Sequence, residues 1–112
     1  MDESPMQKLV FAILLSSIKK GARAIRIIST DPMHVYFDLD DSSIEEMRPP
    51  GRLRDAMFDL LCEMSGATAY GTGRVTILVR NVRYDWHATL EGNTFRLGRV
   101  PVAPPVVPPL PN

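Results

Sequence analysis

Cysteine is almost missing from this chain: Cys62 is the only one in 112 residues. No internal disulfide can form, and no cysteine cluster can hold zinc. Its neighbours Leu60, Leu61 and Met64 place Cys62 in a helix, as a core or near-core thiol. Histidine is nearly as scarce. His34 and His87 stand in separate segments, without a His, Cys or carboxylate at metal-ligand spacing. Net charge is also absent, with 13 Lys plus Arg against 13 Asp plus Glu. That balance leaves out the broad basic footprint of a nucleic-acid binder. The apolar run Leu9–Leu15 is far too short to cross a bilayer. The opening Met-Asp-Glu-Ser-Pro lacks the basic start of a signal peptide. Together with the lone thiol, this points to a reducing, cytoplasmic location without membrane insertion.

The chemistry-bearing motifs are missing as well. Ser16 and Ser17 fall within a helix, Ser42 and Ser43 within an acidic stretch, and no nucleophile elbow is present. Tyr70-Gly71-Thr72-Gly73 is rich in glycine, but no lysine follows it and it leads into a strand. A phosphate cradle needs the start of a helix there. Asp38, Asp40 and Asp41 depart from a calcium loop, which needs more oxygen ligands and a closing Glu. No metal or cofactor is expected, and no enzyme.

What is present is one small domain's worth of periodic sequence. A helix is expected from about Pro5 to Lys20. Ser4 caps it, Pro5 suits its first position, and Gly21 stops it. Residues 24–29 read as a strand with Ile25 and Ile27 inward. His34–Leu39 follows, with Val35, Phe37 and Leu39 alternating against His34, Tyr36 and Asp38. Asp40 to Pro50 reads as an acidic connection. A second helix is expected over Arg52–Met64, with Gly66 ending it. Ala67 to Gly73 reads as loop. Three strands follow: Arg74–Arg80, Val82–Leu90 and Thr94–Arg99. Asn81 and Glu91-Gly92-Asn93 supply the hairpin turns.

The fold class is therefore α+β in the order αββαβββ. Two helices cover one face of an antiparallel sheet of about five strands. Residues 1–99 form the domain. Residues 100–112, rich in Pro and Val, form a flexible tail, because proline removes the donors that helices and sheets need. About 60–65% of the unfolded surface of a chain this size is buried on folding, which leaves little room for an enclosed pocket. Trp86 falls on the buried phase as a core anchor.

The opposite sheet face is where a partner would meet the protein. Strand phase assigns it Arg26, Tyr36, Arg80, Arg83, His87 and Arg96 as candidate interaction residues, beside Asp38 and Thr76. The charges are also polarised. Asp31, Asp38, Asp40, Asp41, Glu45 and Glu46 form a run with no Lys or Arg between them. Arg74, Arg80, Arg83, Arg96 and Arg99 dominate the last third. Such a domain steers a partner or self-associates.

Several short stretches carry a family likeness. They are Leu14-Leu15 leading to Gly21-Ala22-Arg23-Ala24-Ile25-Arg26, then Asp38-Leu39-Asp40-Asp41, Pro49-Pro50, Ser65-Gly66 and Gly73-Arg74. Tyr84-Asp85-Trp86-His87-Ala88-Thr89 and the stretch from Gly92 to Arg96 complete them. In these, residues 8–99 resemble the N-terminal domain that precedes the motor core of type II secretion and type IV pilus ATPases. Departures accompany the likeness. Ala24 and Arg26 stand where the family has Asp and His, and Asp38 where it has Arg. His87 replaces the Arg that helps contact nucleotide across subunits. The motor core itself is absent. The resemblance implies an accessory domain that docks on the neighbouring subunits of a hexameric ring. The expectation is a non-catalytic protein-interaction or adaptor domain acting on a secretion or pilus ATPase or its regulators. The alternative is a small-ligand or nucleotide sensor using the arginine-bearing sheet face.

Overall fold

The computed structural model describes residues 4–67 and 71–101. Helix α1 spans Pro5–Lys19 and is followed by strands β1 (Ala24–Ile28), β2 (His34–Asp38) and β3 (Ser43–Met47). A 3-10 turn at Gly51–Leu53 leads into α2 (Arg54–Ser65). Strands β4 (Thr72–Val79), β5 (Val82–Glu91) and β6 (Thr94–Val100) complete the fold. The six strands form one antiparallel sheet in the order β3-β2-β1-β6-β5-β4. Each half of the chain is a helix followed by a three-stranded meander, and β1 pairs with β6 where the halves meet.

Local chemistry sets the helix ends. The Ser4 hydroxyl accepts a hydrogen bond from the Gln7 amide at 3.1 Å, and the Gln7 side chain accepts one from the Ser4 amide at 2.9 Å. This reciprocal box satisfies two amides that the first turn leaves without partners. At the far end of α2, Gly66 adopts φ +71°, a left-handed cap, and its amide donates to the Cys62 carbonyl.

The α+β class holds, but the sheet has six strands and the order is αβββαβββ. The additional strand lies within Asp40 to Pro50, which reads in sequence as an acidic connection. Charge hides it: Ser43 and Glu45 face outward, while Ile44 and Met47 pack against the core. A register shift opposite Val35/Tyr36 makes Glu46 an extra residue and interrupts the two-residue period. Glu46 is turned toward α1, where it accepts from the Ser16 hydroxyl at 3.0 Å and pairs with Lys20. A second correction concerns Arg80, which belongs to a turn and not to a strand. Arg80 and Asn81 both have positive φ, +51° and +65°, in a two-residue turn that joins Val79 to Val82. This twist suits a hairpin, and it takes Arg80 off the sheet face. Thr72 and Gly73, expected in a loop, begin β4. Tyr70, and the tail beyond Pro101, lie outside the described residues.

Both helices cover the same sheet face. Val10, Ile13 and Leu14 of α1 and Met57, Phe58 and Leu61 of α2 pack on Ile25, Ile27, Val35, Phe37, Val75, Trp86, Phe95 and Leu97. Phe58 meets Phe95 edge-on at 5.6 Å. Trp86 is fully buried, and its indole N–H has no hydrogen-bond partner. Burying about 200 Å² of indole contributes roughly 5 kcal/mol, and an unmet N–H costs about 1–3 kcal/mol, so burial wins.

Gly73 is fixed by close approach. A Cβ built there would lie 2.3 Å from the Ser65 carbonyl oxygen and 2.8 Å from the Ala67 nitrogen, while one at Gly71 would meet nothing within 4 Å. Gly73→Ala must therefore push β4 away from the end of α2, and should cost about 2 kcal/mol or more. Gly71→Ala should be near neutral. Ser4→Ala, which removes the cap, should cost about 1 kcal/mol. Urea unfolding midpoints check all three.

Candidate functional site

Among the described residues, no helix covers the other face of the sheet. Strand register arranges its side chains in rows across the strands. One row runs Arg74, His87, Gly98, Ala24, Asp38, Ser43. The next runs Thr72, Thr89, Arg96, Arg26, Tyr36, Glu45. Of the residues expected here, Arg26, Tyr36, Arg83, His87 and Arg96 share the face, and Arg80 does not.

The β1–β3 end of the face is self-satisfied. Arg26 binds Asp38 through Nε at 2.9 and 3.1 Å and through Nη2 at 2.9 Å, a bidentate pair that Ser43 joins by donating to Asp38 at 2.7 Å. The Arg26 guanidinium also lies 5.0 Å from the centre of the Tyr36 ring, which stacks on His34 at 6.0 Å. Glu45 accepts from Arg48 at 2.6 and 3.0 Å and meets His34 Nδ1 at 2.7 Å.

The β6–β4 end differs. Arg83 reaches Asp85 at 3.2 Å, and Thr76 donates to the same carboxylate. Arg74 and Arg96, both exposed, make no ion pair among the described residues. Arg96 stands directly opposite Arg26, whose charge Asp38 already meets. Its guanidinium lies across Gly98, with Nη1 2.8 Å from where a Cβ on that glycine would sit. Gly98 is the cross-strand partner of His87, and His87 that of Arg74. Arg96 and His87 thus flank a floor made of Gly98 and Ala24, with Arg74 one strand further along the row. Beside them an open depression of about 390 Å³ is lined by Thr89, Glu91, Thr94 and Arg96.

Chemically, this face offers donors, positive charge and one aromatic ring. Among the described residues, no three His, Cys, Asp or Glu side chains come together as metal ligands. Arg74 alternates with Val75 and Ile77, in phase with Thr76, a signal that could have added it to the expected set. Gly98 and Ala24 carried no such signal, because their place beneath Arg96 depends on the pairing of β1 with β6. No helix among the described residues is long and apolar enough to cross a membrane.

Comparison with known proteins assigns no family: no family model and no curated protein sequence matches the chain.

The carboxylates of the sheet are held ionised. Arg48 and His34 lower Glu45 from its ordinary value of 4.5 to about 2. Burial resists ionisation of Asp38, but hydrogen bonds from Arg26 and Ser43 and the charges of Arg26 and Arg96 outweigh it and lower its pKa. Thr76 and Arg83 lower that of Asp85. A carboxylate with a depressed folded-state pKa stabilises the fold above its unfolded pKa and loses that contribution as pH falls through the folded value. The contribution of these carboxylates should therefore be complete near neutrality, begin to be lost below about pH 4.5, and keep falling towards pH 2. Urea midpoints measured across that range check this. A stability independent of pH there would show that these pairs contribute nothing.

Proposed function

We propose that this chain is a non-catalytic docking domain whose open sheet face receives a partner protein. One observation carries the reading: among the described residues the helices take one side of the sheet and none covers the other, where Arg74 and Arg96 make no ion pair. A monomer gains little from arginines without counter-charges, whereas an interface uses them for steering and register. Arginine and tyrosine are also the side chains that binding surfaces favour. The depression beside Arg96 is open and shallow, and Glu91 on its rim opposes a strongly anionic small ligand.

The resemblance in short motifs to the N-terminal domain of secretion and pilus ATPases supplies the candidate partner. In this proposal the domain acts in the cytoplasm on such an ATPase ring or on its regulators. The second reading, a small-ligand sensor, draws on one feature, the row of Arg74, His87 and Gly98 with Arg96 lying over that glycine.

Mixing the chain with a secretion or pilus ATPase at modest salt should give co-elution. Arg83→Glu combined with Arg96→Glu should weaken that binding about tenfold, a loss of about 1.4 kcal/mol. Arg80→Glu, which lies off the face, should leave it unchanged. If binding is equally strong in the double variant, the sheet face is not the docking surface. If ATP alone shifts the backbone amide signals of β4–β6, and the shifts vanish in Arg96→Glu, the sensor reading replaces this one.

A further inference from the structure

The side of the domain away from the open sheet face carries a second pattern. Helix α1 contains lysines and no acidic residue, and four of its exposed positions are spaced as one stripe: Lys8, Ala12, Leu15 and Lys19. Leu15 is 36% exposed and is flanked by half-buried Phe11 and Ile18. Helix α2 carries the opposite charge. Asp55, Asp59 and Glu63 recur every four residues along its exposed side, with Ala56 and half-buried Leu60 beside them.

The two helices contact each other within one layer. Even so, among the described residues these charges form no ion pair between the two helices. Asp55 pairs with its neighbour Arg54 at 2.8 Å, and Lys8, Lys19, Asp59 and Glu63 make no ion pair among the described residues. An apolar depression of about 440 Å³ adjoins α1. Leu15, Ile18, Val79, Val82 and Tyr84 line it, and Lys19 and Arg80 supply its only charges.

We infer that this helix layer is an interface between two copies of the chain. A basic stripe and an acidic stripe, on two contacting helices that cover the same sheet face, are complementary to each other under a two-fold rotation. The rotation sets α1 of one copy against α2 of the other, and α2 against α1, in a closed isologous contact. Lys8 and Lys19, about 16 Å apart along α1, then reach inward to Asp59 and Glu63 of the mate, about 6 Å apart, and Phe11, Leu15 and Leu60 supply the apolar centre.

Two helices of this length, about 20 Å long and about 10 Å apart, offer a contact roughly 20 Å across. That is at the small end of specific interfaces. The dimer is therefore weak, with a dissociation constant on the order of 10–100 µM, and it depends on salt because its charges sit near solvent.

Sedimentation of the full chain between about 5 and 500 µM tests this at roughly 50 mM and 500 mM NaCl. The expected result is a monomer–dimer equilibrium at low salt, weakened about tenfold or more at high salt. Lys8→Glu with Lys19→Glu should be monomeric, and so should Asp59→Lys with Glu63→Lys. An equimolar mixture of the two variants should recover the dimer, which an unfolded variant cannot do. A chain that stays monomeric at every concentration, a dimer indifferent to salt, growth into open polymers, or no recovery on mixing overturns the inference. So does association that appears only with anionic phosphatidylserine vesicles and is lost in Lys8→Glu with Lys19→Glu. The wild-type salt series needs no variant, and the ATPase mixing experiment reads the opposite face, so the two proposals fail separately.

Discussion

The pairing of β1 with β6 is the contact on which the rest of the structure depends. It joins the second element of the chain to the last, setting Ile25 opposite Leu97 and Ile27 opposite Phe95. Without it there would be two three-stranded meanders, each with a helix and too few apolar side chains to form a core of its own. With it, one continuous sheet floor runs beneath both helices, and Trp86, Phe37 and Phe95 are closed off from water. The same seam builds the site. It sets Arg96 opposite Arg26 and brings Gly98 and Ala24 together as the floor beneath the guanidinium. Core and docking face are thus two sides of one register, because alternate residues of the same strands serve each.

What could be read from the sequence follows from how local each signal is. The strand from Val82 was visible because Trp86 and Ala88 alternate with Asp85 and His87. Ser4, Pro5 and Gly66 declared the helix ends through their own backbone chemistry. Strand β3 was not legible, since its acidic residues disfavour a strand in isolation. Glu46 breaks the alternation, and the groups that satisfy it, Ser16 and Lys20, are 30 and 26 residues away. Arg80 misled for a related reason. The turn it occupies favours Gly, Asn or Asp at positive φ, and an arginine there reads as one more strand residue.

The candidate site was half legible for the same reason. Strand phase alone put Arg26, Tyr36, Arg83, His87 and Arg96 on one face, and the structure places them there. Which charges were already met could not be read, because Asp38 and Asp85 look alike in sequence until their partners are known. Only the fold shows Arg26 in an ion pair and Arg96, among the described residues, in none. The helix layer is a similar case. Each stripe is visible along its own helix, but their complementarity appears only once α1 and α2 lie in one plane.

Position 98 carries a consequence of its own. Its backbone is not in the left-handed region, so nothing in the main chain demands glycine, and an added methyl would strike only the mobile end of Arg96. The constraint comes from a neighbouring side chain and so can be lifted. A chain with alanine or serine at 98 folds the same way but sends its arginine elsewhere. Positions 96 and 98 are therefore an epistatic pair: the effect of changing either depends on which residue the other holds. A relative that keeps this fold can redirect this guanidinium by one substitution at 98, with its charge unchanged.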